Sequence, residues 1–484
     1  MAKTTNLKKN YILNTANQLL SLIVPLITAP YLSRVLTSSG IGIQSYTNSI
    51  VTYFAIFAVM GSSSFGQRQI AYDRDNRSEM SESFWNIMGF RTITTGVTLC
   101  IYCIFALNVT QYRVYYWILS LHVINVVLDI TWFFQGIEEF GKIVTRSVIV
   151  RLAHMISIFL FVRKPEDLWL YILLTSGFNT LGYLIMWIYL PKYIDRPTKI
   201  HPFANYLDIF LLFLPTIATQ VYVILDKSMI GWITDSTYQN GCYEQAEKIA
   251  RISLTIVTSI STVVLPRIAN LFKRKELIRA KEILYSGYKF VLLLSIPMTA
   301  GLASIADNFV PVFFGTGYDM ATPLLRIFSL IIIPISLAHI TGYSYLIPTG
   351  QQNVYTVSVS IAAIANLAIN LLLIPRIGAI GAAIGSVVAE VTGITIQLAF
   401  CFIKKQLQID RVFDTTWHYI FGAALMVFLI RLESSLLSSN LLGLFIKVIS
   451  GSLVYFLTLL ILRDRFLYDN ISKILVVIKG KVRK

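Results

Sequence analysis

Apolar residues recur along the whole chain in stretches about as long as a bilayer core is thick, separated by short polar connections. A hydrocarbon core takes roughly 20 apolar residues in an α-helix. Windows of that length run near 12–33, 41–62, 84–107, 114–136, 143–162, 168–190, 207–233, 240–266, 284–306, 321–347, 353–375, 378–402, 416–432 and 441–462. The pattern predicts an all-α polytopic membrane protein of about fourteen transmembrane helices, since only helices and closed barrels satisfy their backbone within lipid. The longest inside connections, near 63–83 and 267–283, hold about twenty residues or fewer, too few for a soluble domain. Whatever this chain does, it does within the bilayer. The first window is too long for a signal peptide and lacks its small-residue cleavage site, so it is expected to remain as the first helix.

Composition agrees with the pattern. The chain of 484 residues is 55% hydrophobic and 14% charged, with a mean hydropathy of +0.66, against about 25% charged residues in soluble domains. A net charge of +16 would suggest nucleic acid for a soluble protein, but here placement decides. With a cytoplasmic N-terminus, 27 of the 41 lysines and arginines fall in inside segments and 6 in outside ones. That asymmetry predicts an even number of spans with both termini in the cytoplasm. No nucleic-acid partner is implied. Cys100 and Cys103 form a CxxC pair with no second pair or neighbouring histidine, so packing is the favoured reading and no metal is expected.

A weak internal repeat gives the organisation. "GIQSYTNSI" from Gly42 and "GCYEQAEKI" from Gly241 each open a span and lie 199 residues apart; the same offset carries Arg68 onto Arg267 and Arg74 onto Lys273. Six spans before the seventh, in unchanged orientation, fit two parallel six-helix bundles, an arrangement in which transporters place their substrate between the repeats. The expected divisions are 1–200 for the N-terminal bundle, 201–403 for the C-terminal bundle, and 404–484 for two further helices with a basic cytoplasmic tail.

Charges inside the spans mark the candidate site, because an ionised group near the bilayer centre costs about 2.5–3.5 kcal/mol on insertion scales and normally faces a partner or a watery cavity. Arg91, Asp129 and Arg151 lie at similar depth, roughly 10–12 Å below the cytoplasmic surface. The simplest arrangement pairs Asp129 with Arg151 and leaves Arg91, with His154 one turn from Arg151, facing the interior. A structural ion pair with snorkelling is the equal alternative. In the second half, Asp226 and Lys227 interrupt span 7, Arg326 lies near the outer end of span 10, and Glu244, Glu247, Lys248 and Arg251 follow one another at i, i+3, i+4 and i+7 on span 8. Such a face should line an aqueous cavity, with Lys248 or Arg251 in reach of Asp226. Counted together, the cationic side chains exceed the anionic ones by two, which suits an anionic cargo such as a phosphate or pyrophosphate. Glu390, in mid-span 12, has two readings: a proton or cation site, or a carboxyl neutralised by a hydrogen bond. Prolines within spans, among them Pro25, Pro30, Pro215 and Pro297, are candidate hinges or simple curvature. Gly381 and Gly385 stand at small-xxx-small spacing, which favours close helix packing.

Several segments resemble one family. "PYLSRVLTSSGIGIQSY", "LDKSMIGWITDSTYQNGCYEQAEKI", "LPRIANL", "TPLLRIFSLIIIPISLAHITGYSYLIPTGQQN" and "NLAINLLLIPRIGAIGAAIGSVVAE" are similar, in order, to the polysaccharide exporter branch of the multidrug/oligosaccharidyl-lipid/polysaccharide superfamily, the Wzx-type flippases. The resemblance implies a multi-pass protein of the bacterial plasma membrane with two six-helix bundles plus two helices, moving an undecaprenyl-pyrophosphate-linked oligosaccharide to the outer leaflet for surface or capsular polysaccharide synthesis. It carries over most firmly to Asp226, Lys227, Gly241, Tyr243, Glu247 and Lys248. The implied partners are the lipid-linked substrate and membrane lipid, with polymerase and chain-length proteins of the same pathway as further candidates. No cofactor is expected, and a coupling proton or sodium ion, at Glu390, Asp129 or Asp226, stays open. A drug or metabolite exporter of the same superfamily is the alternative. An enzyme is not expected, because no outside loop is large enough to carry a catalytic site.

Overall fold

The computed structural model describes residues 7–197, 199–436 and 440–469, with backbone alone for 7–19, 214–223 and 262–263. Lys3 and the basic tail beyond 469 therefore lie outside the described residues, as does the side chain of Pro215. Every regular element among the described residues is helical. In chain order they are α1 (Leu7–Val59), α2 (Ser62–Asp73), α3 (Arg77–Asn108), α4 (Arg113–Leu128), α5 (Thr131–Gly136), α6 (Phe140–Phe161), α7 (Leu168–Tyr189), α8 (Tyr206–Thr234), α9 (Thr237–Lys273), α10 (Leu277–Phe314), α11 (Ala321–Ser329) and α12 (Ile332–Ala338). A π-helical stretch, His339–Leu346, precedes α13 (Gln352–Ile377), α14 (Ala379–Ile403), α15 (Ile409–Phe413), α16 (Thr416–Leu436) and α17 (Leu441–Ile461).

Twelve helical stretches among the described residues are long and apolar enough to cross a membrane. Two features separate that number from the fourteen windows. The first stretch, Leu20–Asp73, takes in two windows, and α8, which covers the window at 207–233, is not one of the twelve. As a straight rod α1 would be about 80 Å long, far more than a bilayer holds. Its backbone breaks at Thr37, with φ 61° and ψ 172°, and not at Pro25 or Pro30. A similar break separates α8 from α9, where Asp235 has φ 47°. The two breaks are within a residue of the 199-residue offset, so the repeat extends to where the helices break, though Asp235 is left-handed (ψ 26°) and Thr37 is extended in ψ (172°).

The expected inside loops are mostly helix. α2 and the first turns of α3 occupy 63–83, leaving only Arg74–Asn76 as a connection, and 267–283 is divided between α9 and α10 with three residues between them. Apolar windows report only the lipid-facing length of a helix, whereas its backbone bonds continue into the polar interface. The start of α3 is set by Asn76, whose side-chain oxygen accepts from the backbone N–H groups of Ser78 and Glu79, while Glu79 places a carboxylate in the first turn.

The chain forms two compact units, Met1–Gly241 and Cys242–Lys484, so α8 belongs with the first spans and α16 and α17 with the second unit. In the first unit, one core gathers Leu36, Val51, Tyr102, Val123 and Ile172, and another is built on Phe84, Trp132, Phe133 and Met186. In the second, a core from Val257 to Leu459 includes Tyr288, Ile340, Met426 and Tyr455, and the Tyr455 hydroxyl donates to the Leu293 carbonyl at 2.7 Å, tying α17 to α10. Gly381 and Gly385 lie where α14 meets α13, against Leu373 and Asn370.

The repeat motif has a direct structural counterpart within the first unit. A Cβ on Gly42 would overlap the Thr237 carbonyl and lie 2.9 Å from the Gly241 nitrogen; a Cβ on Gly241 would overlap the Ser38 carbonyl and lie 3.0 Å from the Gly42 nitrogen. The offset that relates Gly42 to Gly241 also relates Ser38 to Thr237. The two glycines therefore pack against each other in a reciprocal backbone contact that only residues without a side chain allow.

Candidate functional site

A cavity of about 300 Å³ lies within the first unit, with Ser63, Arg91, His122, Asn125, Asp129 and Tyr183 as its polar lining and Ala55, Val59 and Phe213 among its apolar walls. α3 carries Arg91 into it. One turn further on, the Thr94 hydroxyl donates to the Ala58 carbonyl at 2.7 Å and fixes α3 against α1. Arg91 is 1% exposed, and its Nε and Nη1 have no hydrogen-bond partner among the described residues. Asp129 enters from the break between α4 and α5, where its Oδ1 accepts from the Thr131 backbone N–H at 2.9 Å and also from the Thr131 hydroxyl. Asn125 is held by the Thr180 hydroxyl, which donates to its Oδ1 at 2.8 Å. Tyr183 is shared with a second guanidinium: Arg146 of α6 lies 5.4 Å from its ring centroid, and the buried Nε of Arg146 also lacks a partner.

A buried cation whose donors are unused is an expensive group to keep. Its planar, directed N–H groups match the oxygens of a carboxylate or phosphate, so Arg91 offers an entering anion charge-assisted bonds without first breaking others. Asp129 tempers the field, and with its Oδ1 occupied by Thr131 it keeps acceptor capacity on the same carboxyl group.

The sequence-derived residues fall into distinct places. Arg91 and Asp129 share the cavity. Arg151 is half-buried on α6 and does not line it, and His154, one turn on, hydrogen-bonds Thr175 at 3.3 Å. On α8, Asp226 is 4% exposed, and the carbonyl of Lys227 accepts from the Asn240 side chain at 2.9 Å. The α9 quartet shares a face as expected, but its charges pair with one another. Arg251 Nε is 2.6 Å from Glu247 Oε1, and Lys248 Nζ is 3.8 Å from Glu244 Oε1. Glu247 is buried while Arg251 is exposed, so this pair presents its cation outward.

One expectation changes. Arg326, counted as an unbalanced cavity cation, pairs with Asp307 of α10, and both side chains are exposed. Including Asp307 lowers the cationic surplus from two to one. Glu390, for which two readings were open, is half-buried on α14 and engaged by its surroundings. Arg146 was missed because it stands at a window's edge and counted as an inside, topological charge. Its i+5 relation to Arg151, on a helix with polar residues spaced along it, was the available signal.

This all-helical architecture with a buried polar cavity defines a multi-pass membrane protein, and comparison with known proteins narrows the class. Residues 7–272 match the model of the polysaccharide biosynthesis protein family, and the chain belongs to that family. Among curated relatives, a putative O-antigen transporter of Escherichia coli (strain K12) is 24% identical over 418 residues, covering 83% of this chain and 98% of the relative. A putative O-antigen transporter of Shigella dysenteriae is 22% identical, over 80% of this chain and 97% of the relative. Among solved structures, the lipid II flippase MurJ in an inward closed conformation aligns with a TM-score of 0.73 at 17% identity, covering 94% of this chain and 99% of that one. An inward-facing multidrug resistance transporter of the MATE family and MOP superfamily aligns at 0.56 and 12% identity, over 80% and 98%. The chain shares the fold of both and is a multi-pass protein of the plasma membrane with a place in polysaccharide biosynthesis.

Proposed function

We propose that this protein is a flippase that moves an undecaprenyl-pyrophosphate-linked oligosaccharide from the cytoplasmic to the outer leaflet for surface or capsular polysaccharide synthesis. The observation that carries the reading is the buried Arg91 guanidinium, with two unpartnered nitrogens, opening into a cavity beside Asp129. Its chemistry suits a pyrophosphate head, and the relatives named as putative O-antigen transporters support a lipid-linked saccharide as the cargo. Transport proceeds by alternating access: the basic site faces one side of the membrane and then the other, while the lipid tail stays in the bilayer.

The topology we propose has fourteen crossings with both termini cytoplasmic. It counts α1 twice, on either side of Thr37, and adds α8, 29 residues long, to the twelve stretches. Arg91, Arg151, Lys227, Lys248 and Arg251 are the cationic residues assigned to substrate, and Asp129, Asp226 and Glu390 the candidates for a coupling proton or sodium ion. A drug exporter would prefer an acidic site for cationic cargo, and the unused guanidinium donors of Arg91 and Arg146 near Tyr183 argue against it. The test is the leaflet location of lipid-linked oligosaccharide in a native host depleted of the protein. Accumulation on the cytoplasmic face with loss of surface polysaccharide is expected; unchanged export would overturn the proposal.

A further inference from the structure

The second unit holds a cavity of its own, also about 300 Å³, enclosed by α10, α16 and α17, at the lower end of the range for small-molecule pockets. Its walls are almost wholly apolar, with Pro297, Met298, Ile305 and Met426 typical of them. Among the described residues the one charged side chain lining it is Lys447, the seventh residue of α17. Lys447 is 0% exposed, and its Nζ has no hydrogen-bond partner among them. Three neighbouring polar groups are committed elsewhere, Ser450 donating to Glu433 at 2.8 Å, Ser452 to the Val448 carbonyl at 2.7 Å and Tyr455 to the Leu293 carbonyl at 2.7 Å, while Ser253 of α9 adds a neutral hydroxyl to the lining.

A lysine normally escapes burial by snorkelling its ammonium to water. This one does not, and a buried cation without a partner is costly. The cavity supplies the rest of the description. Val448, Ser452 and Phe456, at i, i+4 and i+8, line it and are exposed on the outer side of α17, so its mouth opens sideways along an apolar stripe. A ligand entering there comes from the hydrocarbon region, brings an apolar chain for the walls, and needs one negative group for Nζ.

We infer that this cavity is a binding site for an anionic phospholipid of the surrounding bilayer, whose phosphate pairs with Lys447 while an acyl chain lies against α10 and α16. This lipid is a resident of the fold, separate from the transported cargo and from the Arg91 cavity. The test uses the full chain purified in detergent, with native mass spectrometry after addition of phosphatidylglycerol or phosphatidylcholine. Wild type should retain one phosphatidylglycerol at least tenfold better than phosphatidylcholine. Lys447→Met, which keeps the length and apolar stem, should lose the preference, and Lys447→Arg should keep it. Ser452→Phe, at the exposed mouth, should block retention without touching the lysine, and so tests the site if Lys447→Met fails to fold. Equal retention of the two lipids by wild type, or an unchanged preference in both Lys447→Met and Ser452→Phe, would overturn the inference. Displacement of the bound phospholipid by undecaprenyl phosphate at equimolar concentration would overturn it in favour of the cargo lipid.

Discussion

Replacing Arg91 with methionine separates a binding role from a structural one. In most buried ion pairs, removing one partner destabilises a protein by about 3–5 kcal/mol because the other charge is left uncompensated. Arg91 is different, since its Nε and Nη1 have no hydrogen-bond partner among the described residues to orphan, and Asp129, which shares its cavity, keeps its bonds to Thr131 and the charge of Arg146 nearby. Methionine retains much of the aliphatic stem in contact with the cavity wall, so thermal stability in detergent should stay the same or rise. Binding should not survive. A hydrogen bond to a charged group contributes about 1.5–3 kcal/mol, and two unpartnered donors facing an anion amount to about 3–6 kcal/mol, roughly a hundredfold or more in affinity at 1.4 kcal/mol per factor of ten. The assay is surface polysaccharide in a host lacking the native copy, read beside the amount of variant in the membrane and its melting temperature. Lost export with normal abundance and stability is the expected result. Export within twofold of wild type, or a protein that no longer accumulates, would refute the assignment of Arg91 to an anionic cargo.

Other predictions follow from local geometry. Gly241→Ala drives a methyl group into the Ser38 carbonyl, and Gly42→Ala does the same at Thr237; each should destabilise by about 1–3 kcal/mol, as overpacking does, and the double variant should cost less than the sum because the first substitution already parts the helices. A double-mutant cycle on melting temperature checks both statements, and strict additivity would count against the contact. Asn76→Ala removes the cap of α3 and should cost about 1 kcal/mol, with hydrogen exchange rising first at the amides of Ser78 and Glu79. Arg326→Ala breaks only an exposed pair with Asp307, whose contribution should be about 1 kcal/mol or less; export should be normal, in contrast to Arg91→Met.

Much of the architecture could be read from the order of apolar and polar residues, because lipid forces every crossing to declare itself as a long apolar run. Each of the fourteen windows coincides with helix. The same rule hides what happens where lipid ends. The helical continuation of α9 to Lys273 and the start of α10 at Leu277 occur in polar sequence that a window treats as loop. Thr37 breaks α1 with no glycine or proline at that position, so backbone geometry was not legible there. For the site, depth was legible and partnership was not. Arg91 and Asp129 were placed at one depth and do share a cavity, whereas Asp307 was passed over and turns out to neutralise Arg326. Charge counting sums residues, while the field at a cavity depends on which of them already hold each other. Lys447 shows the limit from the other side: a single lysine in a long apolar run draws no attention until its burial is known.

The reciprocal contact at Gly42 and Gly241 has the form of an interface between two molecules. A patch that meets its own repeat-related copy makes the reciprocal contact of an isologous interface, the kind that closes a homodimer. Here both copies of the patch are on one chain, and each glycine faces the carbonyl that the repeat predicts for its counterpart. A shorter chain carrying the same glycine and the same Ser/Thr carbonyl has the chemistry to meet a second copy of itself in this way. Within this chain the two positions are coupled, since a side chain at either one displaces the backbone that holds the other.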